Sequence, residues 1–190
     1  MKPEVGTAVE VGALALVLLS GLIIPSGAPL AVFFVVAQLV STYLIHCPAH
    51  YLIGRAFGIR FTAIRRGRTG LVKVLPGSLA GLAKLISLPT LKTEKVSLVK
   101  ATRTGVATMY ASGTVASSAS AIIIASFATR VEPLPFALYA WAVAVGYLLF
   151  DLVFSPRSGD LYRARNALRL LALKREPRSA YEPLIRTTRN

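Results

Sequence analysis

Charged residues are missing from long tracts of this chain, and the lengths of those tracts predict how it folds. From Val11 to Gly54 there is no Asp, Glu, Lys or Arg, a run of 44 residues. A single helix of that length would reach roughly 66 Å, about twice the hydrocarbon core of a bilayer. The run must therefore reverse once, and Pro25-Ser26-Gly27-Ala28-Pro29 supplies the break, with two prolines and a glycine in an otherwise helical composition. This predicts helices over about 9–25 and 29–54. A second charge-free tract covers 104–129, and a third begins at Pro133 and continues past a lone Asp151 to Pro156. Only Arg130-Val-Glu-Pro-Leu-Pro135 separates these two, which is too short for anything but a tight connection between antiparallel neighbours. The pattern predicts an all-α polytopic membrane protein with four transmembrane helices, at about 9–25, 29–54, 104–129 and 133–154.

Composition agrees, because 54% of residues are apolar and only 16% are charged, a balance that a soluble domain does not carry. The net charge of +14 would suggest nucleic acid on a soluble protein, but its distribution points elsewhere. Eleven of the 22 basic residues lie between Arg55 and Arg103 and nine between Arg157 and Arg189. The turn after the first span has none, and the turn after the third sets Arg130 beside Glu132. By the positive-inside rule the connection 55–103 and the C-terminal tail are both cytoplasmic, and four spans with a cytoplasmic N-terminus satisfy this together. The expected organisation is a membrane domain over 1–156 and a basic cytoplasmic tail over 157–190, in the membrane of a prokaryotic cell. The partner of the basic segments is then the lipid bilayer, with anionic lipid ahead of nucleic acid.

A cleavable signal peptide is disfavoured, since Lys2 is balanced by Glu4 and Glu10 and no positive n-region precedes the first span. The single cysteine, Cys47, excludes an internal disulfide. No internal repeat, P-loop or dinucleotide fingerprint is present. Within the connection, residues 55–70 alternate apolar and basic residues around glycines, the pattern of a short hairpin at the headgroups. Residues 71–89 are apolar but carry Lys73 and Lys84 and are broken by Pro76 and Pro89, so an interfacial or re-entrant segment is expected there rather than a fifth span.

Ionisable groups inside spans are costly, on the order of 2.5–3.5 kcal/mol for an Asp at a helix centre, so each is a candidate for function. The second span carries His46 and His50, whose i, i+4 spacing puts both imidazoles on one helix face, the geometry of a two-histidine metal site. The fourth carries Asp151. Counting at about 1.5 Å per residue from Arg55 and Arg157, the three lie roughly 7–13 Å inside the interface and so at one level. They could close a zinc site with an open fourth position, or hydrogen-bond across the bundle without metal. Pro48 frees a backbone carbonyl and bends the helix between the histidines. Cys47 points about 100° away from His46 and reads as a packing residue or a group behind the ligands. The small residues Ala111, Gly113, Ala116, Ser117 and Ser120 let another helix approach the third span closely.

The stretch from His46-Cys-Pro-Ala-His50 through Gly58-Ile-Arg-Phe61 resembles the signature helix of the site-2 protease family of intramembrane zinc metalloproteases, where the sequence is H-E-x-x-H followed by a turn into a small cytoplasmic hairpin. Ala111-Ser-Gly-Thr-Val-Ala-Ser117 is similar to the family's A-G-P-L-A-N/S segment, and Phe150-Asp-Leu-Val-Phe-Ser-Pro-Arg-Ser-Gly-Asp160 to its F-N-L-x-P…L-D-G segment. Together these cover most of 40–165, and the first is the specific one. The resemblance implies zinc held by His46, His50 and Asp160, with Asp151 at the family's Asn position. It therefore competes with the depth argument, which favours Asp151; both aspartates are carried, Asp160 ahead.

The departure from the family is Cys47, which stands where the family has its glutamate general base. Loss of a general base typically removes about 10²–10⁴-fold of rate, so ordinary proteolysis is disfavoured. The expected function is a degenerate, non-proteolytic member that keeps the fold and a zinc site while binding transmembrane protein segments or other membrane subunits. The alternatives are an active protease with Asp151 as base, a metal or proton pathway, and a structural subunit of a membrane complex.

Overall fold

The computed structural model describes residues 1–68 and 87–175. Helix α1 runs Pro3–Ser20 and ends in a 3-10 turn, Gly21–Ile23; α2 is Ala28–Ala56. Strands β1 (Phe61–Arg68) and β2 (Ser87–Thr93) and a short α3 (Lys95–Lys100) follow, then α4 (Arg103–Val131), α5 (Leu134–Ser158) and α6 (Asp160–Arg175). Among the described residues, four helices are long and apolar enough to cross a membrane: Pro3–Ile23, Ala28–Ala56, Arg103–Val131 and Leu134–Arg157. They leave large apolar side chains such as Leu16, Ile23, Ile123 and Leu134 exposed, as an integral membrane protein does. The first helix begins about six residues earlier than hydropathy suggests, because Pro3 suits a first helical turn and nothing after it breaks the helix, Glu10 included.

Helix ends follow local chemistry. At the α1/α2 reversal Gly27 adopts φ +95°, a conformation that favours glycine, and Pro29 lies in the first turn of α2. At the far end of α2, Gly58 takes φ +76° and donates to the Arg55 carbonyl at 3.0 Å, while Ile59 N donates to the Gly54 carbonyl at 2.8 Å. This pair of bonds is a Schellman cap, and it buries Ile59 completely. Helix α4 starts where the Thr102 side chain accepts from Gly105 N at 3.1 Å.

The antiparallel strand pair expected between the second and third spans is present, but its strands are not both within 55–70. That stretch supplies only β1, whose partner β2 lies beyond residue 86, with Ile64 opposite Leu91 and Arg66 opposite Pro89. Alternation marks a strand but not its partner, and Pro89 is tolerated because a two-stranded ribbon has free edges. Most of the segment expected to be interfacial or re-entrant, 71–89, lies outside the described residues, as does the tail beyond 175. The N-terminus joins this end of the molecule, since Ile64 N donates to the Met1 carbonyl at 3.1 Å.

Alanines dominate the contact between α4 and α5. Ala121, Ala125 and Ala128 meet Ala140 and Ala144 around Leu30 and Phe34 of α2, and small side chains allow the backbones to approach closely. Gln38, almost fully buried on α2, donates from Nε2 to the carbonyls of Ala121 at 3.1 Å and Ala140 at 3.0 Å, tying three helices together. At the end remote from the strands, both oxygens of the buried Glu132 carboxylate accept from Gly27 N at 3.2 Å, joining the two tight turns.

Candidate metal centre

The i, i+4 spacing of His46 and His50 brings their rings to 4.7 Å in an edge-to-face arrangement on the face of α2 that meets α4. That approach depends on Gly113. A Cβ there would overlap His50 Nε2 and lie 2.8 Å from His46 Cε1, so only glycine leaves room for both imidazoles. The third component comes from the reversal after α5. Gly159 interrupts the helix for one residue, its N–H still bonded to the Ser155 carbonyl at 2.9 Å, and α6 then packs back against α4. Ser155 Oγ accepts from Leu161 N at 3.2 Å, and Thr114 Oγ1 of α4 lies 3.3 Å from the same oxygen. These bonds fix the start of α6, whose first residue is Asp160.

Asp160 Oδ2 lies 3.0 Å from His46 Nε2 and 3.1 Å from His50 Nε2, and the two Nε2 atoms are 3.2 Å apart. The opposite ring nitrogens identify the tautomers. His50 Nδ1 lies 2.6 Å from the Met109 carbonyl, which can only accept, so Nδ1 carries the proton. Ser117 Oγ donates its hydrogen to the Thr42 carbonyl at 2.7 Å, so it accepts from His46 Nδ1 at 3.2 Å. In the neutral form both Nε2 atoms therefore present lone pairs to each other and to a carboxylate oxygen. Three lone pairs turned inward within 3.2 Å repel unless a cation lies among them.

These residues could hold a metal ion, and they form such a group among the described residues. Zinc bonds of about 2.0–2.2 Å set tetrahedral ligand atoms about 3.3–3.6 Å apart, so the triangle would need to widen by only a few tenths of an ångström. The backbone and hydroxyl partners of both Nδ1 atoms are the supports that metal-binding histidines ordinarily have. His46 is one-third exposed while His50 is 12% exposed, so the group opens on the His46 side.

Burial alone would raise the affinity of Asp160 for a proton, but an imidazole that takes a second proton on Nε2 donates it to Asp160 Oδ2, and in that charged form the rings outweigh burial and hold the carboxyl well below the usual carboxylate range. Arg163, one turn along α6, stands 3.7 Å from Asp160 Oδ1 and lies over the Tyr110 ring at 5.7 Å. It is mostly exposed, so its electrostatic contribution is small and its stacking orients the helix start.

Of the two aspartates, the fold brings Asp160 to the histidines and holds Asp151 apart. Asp151 accepts from Ser118 Oγ at 3.2 Å and stands outside the ligand group. Cys47 is buried within α2 and also lies outside the group. Gly113, Ser117 and the Met109 carbonyl shape this group from α4; the sequence marked the first two only as members of a run of small residues and did not mark Met109.

No protein-family model, curated protein or solved structure matches this chain.

Proposed function

We propose that this chain is a site-2-protease-like integral membrane protein that holds zinc through His46, His50 and Asp160 and uses the site to bind, rather than cleave, segments of other membrane proteins. The observation that carries the reading is the convergence of two bare Nε2 atoms and Asp160 Oδ2 within 3.2 Å, beside helices long enough to span. Zinc, once bound, supplies a Lewis-acidic position open to a carbonyl oxygen or water. Ser117 and the Met109 carbonyl orient the two rings, and Asp160 supplies the negative charge. Cys47 takes the place of the family's glutamate, so no carboxylate stands next to His46 in α2 to take a proton from water. Both termini are cytoplasmic in this reading, supported by the basic residues of 55–103 and 157–189 and by the bond between Met1 and β1.

A second reading, an active metalloprotease, draws on Asp151, which is hydrogen-bonded to Ser118, the neighbour in α4 of the Ser117 that holds His46. Elemental analysis of the detergent-purified protein beside a His46→Ala/His50→Ala variant tests the metal. Near-stoichiometric zinc lost in the variant supports the site, and no metal in either sinks it. Cleavage of a reconstituted transmembrane substrate, abolished by chelator and by Asp151→Asn, would replace the binding function with the protease.

A further inference from the structure

Between the end of α2, the start of β1 and α3 lies a cavity of about 350 Å³ whose walls include Phe57, Arg60, Glu94, Val96, Ser97 and Lys100. We infer that it binds the headgroup of an anionic phospholipid.

The frame of the cavity is fixed by backbone bonds. Arg60 N donates to Ser97 Oγ at 2.9 Å, Ser97 Oγ donates to the Glu94 carbonyl at 3.0 Å, and Glu94 N donates to the Arg60 carbonyl at 2.8 Å. The Arg60 and Lys100 side chains are exposed, and neither forms an ion pair among the described residues. Among the described residues Glu94 is the one acid on the wall, against these two cations. A third cation stands at the same end. Arg103 opens α4, two residues before Gly105, whose Cβ would touch the Phe57 ring at 2.8 Å. Its Nη1 is buried with no hydrogen-bond partner among the described residues, but Arg103 does not line the cavity, whose own cations are Arg60 and Lys100.

The apolar members of this surface separate a lipid from a soluble anion. Val96 is 61% exposed and Val99 84% exposed, one helical turn apart on α3, and Phe57 is 42% exposed at the cavity wall. Cations beside exposed apolar side chains, at the end of helices long enough to span a bilayer, match the phosphate and the upper acyl chain of a phospholipid. A free phosphate would gain nothing from the valines.

The experiment uses the full-length protein exchanged into mixed micelles of phosphatidylglycerol and phosphatidylcholine, then stripped with excess detergent, with retained lipid quantified by headgroup. Wild type should retain phosphatidylglycerol in clear preference. Arg60→Gln/Lys100→Gln should lower that preference about thirtyfold, from about fivefold per cation near a membrane surface. Arg65→Gln/Lys92→Gln removes the same charge from exposed positions of the strand pair and should change it less than about threefold. Arg60→Lys/Lys100→Arg keeps the charges and should retain the preference, which guards against misfolding of the glutamine variant. Equal retention of the two lipids by wild type overturns the inference. So does an equal loss in both glutamine variants, which would reduce the effect to overall surface charge. Displacement of retained lipid by millimolar inorganic phosphate would overturn it in favour of a soluble anion.

Discussion

Replacing Gly113 with alanine adds one methyl group where α4 passes closest to the imidazoles. The new Cβ would stand 2.6 Å from His50 Cε1 and 2.8 Å from His46 Cε1 and would overlap His50 Nε2. Carbon atoms in ordinary contact are about 3.5–4.0 Å apart, so the rings or α4 must withdraw by about 1 Å. Neither ring moves freely, since His50 is tied to the Met109 carbonyl and His46 to Ser117, both on the same helix as Gly113. A shift of that size exceeds the roughly 0.2 Å tolerance of metal–ligand distances. Zinc affinity should fall about 10–100-fold, as when an outer support of a metal site is lost, and overpacking should cost about 1–3 kcal/mol of stability. The assay is competition for zinc against a chromophoric chelator in detergent, beside thermal unfolding followed by circular dichroism. Gly12→Ala and Gly146→Ala are the controls, because a Cβ at either position meets nothing within 4 Å. If Gly113→Ala binds zinc within twofold of wild type, the idea that this close approach shapes the site is wrong.

Other outcomes follow from the same geometry. Asp160→Asn should weaken zinc at least about a hundredfold, beyond what an outer support contributes, while Asp151→Asn leaves the same chelator titration unchanged; equal effects would put both carboxylates at the metal. Acidification should release zinc reversibly, because both Nε2 atoms must be unprotonated to bind, so the affinity falls as pH falls; a pH-independent titration would exclude the histidines as ligands. Glu132→Gln removes the charge from the contact with Gly27 N and should lower stability by about 1–2 kcal/mol in the melting assay, with zinc binding intact. Arg163→Gln should alter zinc affinity less than about threefold, since the pair is long and the arginine largely exposed.

Much of the architecture was legible in the amino-acid order because it depends on neighbours in the chain. The absence of charge from 11–54 and 104–129 states how many residues can lie in hydrocarbon, and Pro25, Gly27 and Pro29 state where the first reversal falls. The pairing of His46 with His50 is likewise local, because helical periodicity puts i and i+4 on one face. The partner of β1 was not legible, since strand alternation carries no address. Nor was the preference between the aspartates settled by depth, because counting 1.5 Å per residue assumes that the helix continues. Gly159 ends that helix, and α6 folds back on α4 to return Asp160 to the level of the histidines while Asp151 turns to Ser118. The reason for Gly113 is visible only with both helices in place, since it lies in the space between α4 and two rings from α2. The chain by itself determined which segments are long and apolar enough to span and which side chains share a helix face, through periodicity and local turn chemistry. The tertiary structure alone decided which carboxylate meets them, because that depends on how close the helices come after the chain reverses.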